Sequence, residues 1–474
     1  MAETKYDVVI VGAGPFGYMC AYEYNKLNPS AKILLIDKGR DINTRNCPVL
    51  NHKLTKCPVN KKGVAGCFPS CSITCGFGGA GAYSDGKFNI SSEYGGWLNE
   101  YIDDDQLLDL IKYCDQTNVE FGANSELTNP YTPEVKQIER LAVGAGLKLL
   151  RANIRHLGTE QNLLILKKYY DHLKSRIDIR FGAEVTDVLV KNKVACGVVV
   201  NKKEKIAADV VVFAPGRDGS IILERIMEKH RVPMHNTQVD IGVRVETSNL
   251  IMDEINKNLY EGKLVLQTSV GTSVRTFCSN PSGHVVVEND HNVILANGHA
   301  YRDTKYGSNN TNFALLVSTT FKEPFKQPNE FAHTISSLAN KLSCGTVIVQ
   351  KYGDIKKGRR STDKRIKEGW IRPTLKEAVP GDLTLCLPYK TMKSIIEMIE
   401  ALNKVTPGIA NDDTLLYGVE AKFYSAHPDI NNKLMVKKIK NLYVGGDGAG
   451  ITRGLAQAAA CGVYIARNIL KGDK

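Results

Sequence analysis

A glycine pattern in the first forty residues constrains the fold more than any other feature of the chain. The apolar run Val8 to Val11 is followed by Gly12-Ala13-Gly14-Pro15-Phe16-Gly17, a predicted helix as far as about Leu27, a second apolar run from Lys32 to Ile36, and Asp37. A G-x-G-x-x-G turn between a strand and a helix, with an acidic residue about 20 positions further on, is typical of a dinucleotide-binding βαβ unit. The sequence therefore predicts a parallel sheet here.

Each position of this turn has a physical role. Gly12 permits the tight turn, Gly14 lets the backbone approach a pyrophosphate, and Gly17 allows the helix to pack closely on the strand. The N-terminus of the helix presents free N–H groups and a positive dipole end to the phosphates. Asp37 is expected to accept hydrogen bonds from the adenosine ribose. The other contacts predicted in this unit are Ala13, Pro15, Phe16 and Lys38.

Two later segments favour FAD over NAD, which share this fingerprint. An apolar run near the C-terminus ends in Gly446-Asp447 before a predicted helix over Ile451 to Leu470, and the predicted strand Ala208 to Phe213 ends in Ala214-Pro215-Gly216. Both resemble FAD enzymes of the glutathione-reductase type, in which the Gly-Asp carboxylate binds a ribityl hydroxyl. There the next helix points its positive end at the flavin, which stabilises the anionic reduced ring. The resemblance implies FAD contacts from Val185, Ala214, Gly216, Gly446, Asp447 and Thr452.

A glycine-rich stretch from Cys75 to Lys87 indicates backbone that lies close to a flat or phosphorylated group. Together with Arg155-His156-Leu157-Gly158 and Gly358-Arg359-Arg360-Ser361-Thr362, it resembles a group of largely uncharacterised FAD-dependent dehydrogenases of bacteria and archaea. These motifs span nearly the whole chain, and the resemblance implies FAD contacts from Gly79, Ser84, Gly86 and Lys87. It does not indicate a substrate.

The order of the motifs predicts an α/β fold in which a glutathione-reductase-type FAD-binding Rossmann domain carries an inserted mixed α+β substrate domain. The FAD-binding domain is predicted to be discontinuous, over 1–233 and 415–474, because the Gly-Asp motif comes at the end of the chain. It includes a helical segment over 103–175, and the substrate or cap domain covers 234–414. The sequence has no second complete G-x-G-x-x-G fingerprint, so NAD(P)H is expected to bind transiently at the flavin.

Cysteines cluster in the loop before the glycine-rich stretch, as Cys57, Cys67, Cys71 and Cys75, with Cys47 upstream. Three interpretations remain open. Cys67, Cys71 and Cys75 would be catalytic if two of them formed a redox pair facing the flavin, by analogy with disulfide reductases. The four thiolates from Cys57 to Cys75 would instead hold zinc or an iron–sulfur cluster. The third interpretation is a loop of unreactive thiols.

Three further segments carry candidate polar residues. His156 could donate a proton beside the flavin, because its ordinary pKa lies near neutrality, or it could simply cap or pack. Arg244, in a predicted strand, could bind an anionic substrate or pair with Glu246. Arg359 and Arg360, in the basic segment 351–367, could bind a phosphate or be solvated.

Charge and hydropathy limit the partners. The formal net charge of +12 permits an anionic partner such as nucleic acid or a phosphorylated cofactor. No apolar stretch reaches the roughly 20 residues that span a bilayer, and the N-terminus lacks the pattern of a secretory leader. We therefore expect a cytoplasmic protein without a membrane span.

The function predicted from the sequence is that of an FAD-dependent oxidoreductase that transfers hydride between flavin and a small-molecule substrate. A reductase or dehydrogenase is favoured over a monooxygenase, and the electron donor would be NAD(P)H or a ferredoxin-like protein. Two alternatives remain open. One is a flavin-dependent enzyme that modifies tRNA or rRNA, and the other is a non-catalytic redox sensor built on flavin and thiols.

Overall fold

The computed structural model describes residues 5–48, 53–54, 67, 70–84, 86–216, 219–259, 261–290, 293–300, 304–321, 325 and 327–472. The helices are α1 (Pro15–Leu27), α2 (Asp104–Glu120), α3 (Pro133–Gly144), α4 (Gly158–Lys174), α5 (Ser220–Lys229), α6 (Asn249–Asn258), α7 (Pro328–Leu342), α8 (Tyr352–Lys356), α9 (Asp363–Glu368), α10 (Tyr389–Leu402) and α11 (Leu455–Lys471). In the ranges just given, no helix has the length and apolar character needed to cross a membrane.

The strands are β1 (Tyr6–Val11), β2 (Ile33–Ile36), β3 (Lys87–Ile90), β4 (Leu147–Leu150), β5 (Asn153–His156), β6 (Asp178–Arg180), β7 (Val185–Lys191), β8 (Val194–Val200), β9 (Glu204–Phe213), β10 (Met234–His235), β11 (Val239–Ser248), β12 (Lys263–Gln267), β13 (Ser273–Asn280), β14 (His284–Asp290), β15 (Val293–His299), β16 (Asn310–Thr319), β17 (Ile348–Lys351), β18 (Val379–Pro380), β19 (Leu415–Lys422), β20 (His427–Pro428) and β21 (Leu442–Val444). The chain forms two compact units. The first comprises Met1–Thr128, Ala152–His235 and Ser425–Lys474, and the second comprises Asn129–Arg151 and Asn236–Tyr424.

The first unit is built on a sheet with the strand order β6-β2-β1-β9-β8-β7, in which β21 also pairs with β9. Strands β6, β2, β1, β9 and β21 are parallel, and β8 and β7 are antiparallel. The predicted β1-α1-β2 unit is confirmed, and its strands are buried apolar runs, as expected for strands covered on both faces. Helix α1 packs on α11 so closely that a Cβ atom on Gly462 would lie 2.1 Å from the carbonyl oxygen of Phe16.

The second unit is built on a sheet with the strand order β18-β17-β19-β11-β16-β13-β12-β4. Its central strand β11 alternates in character. The odd-numbered residues from Val239 to Val245 belong to an apolar core that α6, α7 and α10 also enter. The even-numbered Asp240, Arg244 and Glu246 lie on the opposite face and are also buried. Both faces of this strand are therefore covered, and buried charges occupy one of them.

The unit boundaries differ from those that the sequence predicts, for reasons of strand pairing. Strand β19 pairs with β11, so the second unit extends to Tyr424. The sequence predicts that it ends at 414. Strand β4 pairs with β12, so Asn129–Arg151 leaves the predicted helical segment 103–175 and joins the second unit. Strands β6 and β7 are separated by a turn at Gly182, which has a φ of +64°.

Candidate dinucleotide-binding site

The carboxyl ends of four parallel strands meet at one edge of the first sheet. The glycine turn follows β1, Asp37 follows β2, Ala214 follows β9, and Gly446 follows β21. Two pairs of loops touch directly. A Cβ atom on Gly12 would lie 2.1 Å from the carbonyl oxygen of Ala214, and one on Gly448 would lie 2.0 Å from that of Gly216. The motifs that the sequence places far apart are thus neighbours in space.

The glycine turn leaves an open backbone face at Gly14. This residue precedes α1 with a φ of −72°, and no side chain caps the helix. A Cβ atom added to Gly14 would find as its nearest neighbour only the Cα atom of Gly79, at 3.8 Å. A Cβ atom on Gly216 would have nothing within 4 Å. The turn therefore fits a pyrophosphate that approaches the backbone and the uncapped helix N-terminus.

The Asp37 carboxylate joins three loops around this edge. It accepts hydrogen bonds from the backbone N–H groups of Ala13 at 2.8 Å, Gly39 at 2.7 Å and Gly76 at 2.9 Å. A carboxylate has about four acceptor positions, so a ribose hydroxyl could still donate to it. Asp37 therefore has a structural role that the sequence did not reveal, while its contact with the ribose stays a prediction. Lys38, the next residue, is partly buried.

The glycine-rich stretch packs against the glycine turn. The N–H group of Gly78 donates to the carbonyl oxygen of Ala13 at 2.8 Å, and a 3-10 turn follows over Gly79–Tyr83. The Ser84 hydroxyl donates to the Gly81 carbonyl at 2.7 Å and accepts from the N–H group of Gly86 at 3.2 Å. Ser84 and Gly86 therefore shape the loop, and Lys87 begins the strand β3 that follows it.

Arg45 is a residue of this region that the sequence analysis missed. Its buried guanidinium donates to the carbonyl oxygens of Ser72 at 3.0 Å, Ile73 at 2.8 Å and Phe77 at 2.6 Å. Burial lowers the pKa of Arg45, although Tyr83 and Asp37 act in the opposite direction. The side chain therefore fixes the segment between the cysteines and the glycines. No sequence signal links a single arginine to carbonyl groups so far along the chain.

The cysteines of the loop differ in exposure. Cys47 and Cys75 are buried, Cys67 is partly buried and Cys71 is exposed, whereas Cys57 lies outside the described residues. The N–H group of Cys75 donates to the carbonyl oxygen of Cys71 at 2.9 Å, so these two occupy one helical turn. Among the residues that the structure describes, no three His, Cys, Asp or Glu side chains are placed to hold a metal ion. The three interpretations of the cluster remain predictions.

Asp447, the carboxylate of the Gly-Asp motif, is held by Thr452. The Thr452 hydroxyl is buried and donates to Oδ1 of Asp447 at 2.8 Å. Gly446 precedes it with a φ of +79°, a conformation that favours glycine. Val185, predicted to contact the adenine, is buried at the start of β7.

The Arg155-His156 motif contains two residues with different surroundings. Arg155 is buried and forms a bidentate ion pair with Asp115, with N–O distances of 2.6 and 2.7 Å. His156 is exposed and lies opposite Lys87 in the antiparallel pair of β3 and β5. Of the two, only His156 has a side chain that is exposed to solvent.

Arg244 lies in the second unit with no exposed surface. It donates to Oδ1 of Asn312 at 2.9 Å and to the carbonyl oxygen of Cys278 at 3.1 Å, and its guanidinium lies 3.5 Å from the Glu420 carboxylate. Its acidic partner is thus Glu420 rather than the predicted Glu246. The arginine is bound on several sides by the protein itself.

The basic segment 351–367 is organised around acidic residues of the second unit. Asp354 is buried and accepts hydrogen bonds from Arg359 at 2.6 Å, Ser361 at 2.7 Å and Arg365 at 3.0 Å. Other cations of the segment pair with acids in the same way, namely Lys351 with Asp413, Lys356 and Lys357 with Asp412, and Lys364 with Glu368. Arg360 is exposed and makes only long contacts, of 3.4 and 3.5 Å, to carbonyl oxygens. The Gly358 to Thr362 motif thus has a structural role, because Arg359 and Ser361 bind Asp354.

Comparison with known proteins finds one family match and one relative that spans nearly the whole chain. Residues 238–423 match the family described as FAD-dependent protein, C-terminal domain-like. An uncharacterized protein of Clostridium beijerinckii is 27% identical over 499 residues, which cover 99% of this chain and 81% of that protein. The family match covers most of the second unit, whereas the dinucleotide fingerprint lies in the first. The two observations are therefore independent.

Solved structures with low sequence identity also align along the chain. L-proline dehydrogenase from P. horikoshii is 13% identical with a TM-score of 0.38, over 100% of this chain and 95% of that one. Pyridoxine 4-oxidase from Mesorbium loti is 12% identical with a TM-score of 0.45, over 99% of this chain and 100% of that one. Both scores lie below 0.5, so these similarities establish neither a substrate nor a fold subtype.

Proposed function

We propose that this chain is an FAD-dependent oxidoreductase whose first unit is a glutathione-reductase-type FAD-binding domain. The observation that carries the proposal is the meeting of four strand ends at one sheet edge, with the Gly12 to Gly17 turn, Asp37, Gly216 and Asp447 together. The match of 238–423 to an FAD-dependent family supports the same cofactor. The reaction is hydride transfer to or from a small-molecule substrate, by a reductase or dehydrogenase rather than a monooxygenase.

Each part of the site has a task in this proposal. The uncapped N-terminus of α1 and the open face of Gly14 bind the pyrophosphate. Asp37 accepts from the adenosine ribose, while Asp447, oriented by Thr452, accepts from the ribityl chain. When bound, FAD supplies the ring that accepts or donates hydride.

His156 is the proposed proton donor or acceptor of the reaction. It is exposed at the end of β5, opposite Lys87, and an imidazole exchanges protons readily near neutral pH. The buried Arg155 next to it fixes the strand through Asp115, so the position of His156 is defined. A proton-transfer role requires that His156 keeps its position while the substrate is converted to product.

The electron donor in this proposal is NAD(P)H, bound transiently, or a ferredoxin-like protein in the cytoplasm. The two donors are distinguished by anaerobic reduction of the flavin with each in turn, followed by absorption. Reduction by NADH or NADPH within seconds would identify a nicotinamide donor. Reduction only by a reduced ferredoxin would identify a protein donor.

The first test of the proposal is the identity of the cofactor. Protein purified in the dark is denatured, and the released chromophore is identified by chromatography, with about one FAD per chain expected. The variant Gly14→Ala should fold but carry little FAD, because only the open backbone face is changed. A well-folded wild-type protein that neither contains FAD nor binds it when FAD is added would contradict the proposal.

A further inference from the structure

Two histidines from distant parts of the chain lie side by side in the first unit. Strands β10 and β20 pair in an antiparallel manner, with His235 directly opposite His427. Their ring centroids are 5.2 Å apart and the ring planes are inclined by 33°. His235 is exposed and His427 is partly buried, so one side of the pair is open to solvent.

This separation suits a shared metal ion. With Zn–N bonds of about 2.1 Å and a tetrahedral angle, two imidazoles bound to one ion have centroids about 5 Å apart. Imidazole nitrogen is a preferred ligand of zinc, copper and nickel, whereas calcium and magnesium prefer oxygen. The pair therefore has both the spacing and the chemistry for a borderline divalent cation.

The backbone favours the ring orientation that binding needs. Nδ1 of His427 lies 3.4 Å from the carbonyl oxygen of Pro428, which can accept a hydrogen bond from a protonated Nδ1. Such a hydrogen bond leaves Nε2 unprotonated, as it is in many metal-binding histidines. The neutral ring is the form that binds a metal.

We propose that His235 and His427 form a two-histidine site for a borderline divalent transition-metal cation such as Zn²⁺. Water completes the coordination, because no third His, Cys, Asp or Glu in the described ranges is placed to join it. The nearby Asp429 carboxylate is paired with Lys437 at 2.8 Å. The site does not depend on the proposed flavin chemistry.

The two histidines lie where the chain leaves the first unit and where it returns to that unit. His235 is the last residue before the chain leaves the first unit, and the chain returns to that unit at Ser425, two residues before His427. Strands β10 and β20 have only two residues each, so few backbone hydrogen bonds join these segments. A shared ion would link the departing and the returning segment within the first unit.

The test is a pair of titrations of chelator-treated full-length protein. Zn²⁺ binding is measured by calorimetry, and Co²⁺ binding is measured by absorption spectroscopy. Co²⁺ bound by histidines lacks the intense thiolate bands that binding to the cysteine loop would produce. We expect one histidine-type site per chain and a loss of affinity of at least about tenfold in His235→Asn and in His427→Asn. The control variant His230→Asn removes a histidine of the same unit that is not part of this strand pair. It should bind Zn²⁺ and Co²⁺ like the wild type.

Amide hydrogen exchange gives a second readout of the same site. Added Zn²⁺ should slow exchange in 232–236 and 426–430 in the wild type but not in His235→Asn, whose exposed side chain can be replaced without unfolding the protein. Histidine-type binding that is unchanged in both variants, or no such binding in the wild type, would overturn the proposal. These outcomes do not require that FAD is bound, so they are independent of the proposed oxidoreductase function.

Discussion

Lys87 and His156 lie opposite each other in one antiparallel strand pair, although they belong to two motifs far apart in the sequence. The next pair along the same strands is Phe88 with Arg155. Because successive side chains of a strand point to opposite faces, Arg155 turns inward to Asp115 while His156 turns outward. Two adjacent residues thus have separate tasks, one in the core and one at the surface.

The first prediction concerns these neighbours. Arg155→Met should lower the free energy of unfolding by about 3–5 kcal/mol, because it leaves the Asp115 carboxylate buried without its partner. His156→Gln should change it by no more than about 0.5 kcal/mol, since the side chain is exposed. Urea unfolding measures both. The double variant Arg155→Met with Asp115→Leu should recover much of the loss, and failure to recover it would indicate that the charge pair is not the cause.

The second prediction separates binding from folding at the glycine turn. Gly14→Ala should leave the melting temperature unchanged or slightly higher, because its φ of −72° and its open surroundings accept a Cβ atom. Its FAD affinity should fall by at least about tenfold, because the methyl group occupies the place of the phosphates. Gly12→Ala should instead destabilise the apoprotein, since its φ is +99° and the new atom would lie 2.1 Å from a carbonyl oxygen. Flavin fluorescence and thermal unfolding distinguish the two results.

The third prediction concerns Asp37. Asp37→Asn should weaken FAD binding about 10–100-fold and reduce stability by about 1–3 kcal/mol, because an amide cannot satisfy the three N–H groups that now share the carboxylate. Asp41→Asn is the matched control, since the Asp41 carboxylate accepts hydrogen bonds from the N–H groups of Asn43 and Thr44 and from the Thr44 hydroxyl, all within its own turn. Equal effects of the two substitutions on FAD affinity would contradict the role given to Asp37.

The fourth prediction is a pH dependence in the second unit. Burial acts to raise the pKa of Asp354, but hydrogen bonds from Ser361, Arg359 and Arg365 outweigh it and hold the pKa below its ordinary value of 3.8. A carboxyl with a lowered pKa stabilises the fold above its unfolded-state pKa and loses that contribution as the pH falls through the folded-state value. The difference in stability between wild type and Asp354→Asn should therefore be present at pH 7 and shrink below about pH 4. A difference that stays constant down to pH 2 would rule out this linkage.

Long apolar patterns made much of the first unit predictable. The strand at Val8 to Val11 and the helix that ends at Leu27 are present as predicted, and the helices α2 and α4 lie within the predicted helical segment 103–175. The local pattern of apolar residues is sufficient to predict such helices and strands. The helix predicted from Ile451 begins only at Leu455, because Thr452 forms a bridge with Gly96. A contact of that kind cannot be seen in the local sequence.

In the second unit, contacts between distant residues decide even more of the structure than in the first. Strand β13 was not predicted, because polar residues such as Arg275 make its pattern similar to that of a loop. In the fold, Arg275 pairs with the buried Asp240 of another strand, and that partner makes the position suitable for a charge. The pairing of Arg244 with Glu420 was missed for the same reason. Charges buried between strands are explained only by partners that the sequence does not identify.

The pairing of β21 with β9 has a consequence for the timing of folding. Strand β9 is made long before β21, and residues 236–424, the larger part of the second unit, are synthesised between them. The emerging chain therefore presents an unpaired apolar strand edge until β21 is made. Conditions that slow translation of the intervening residues should increase aggregation of the nascent protein, even when the finished protein is stable.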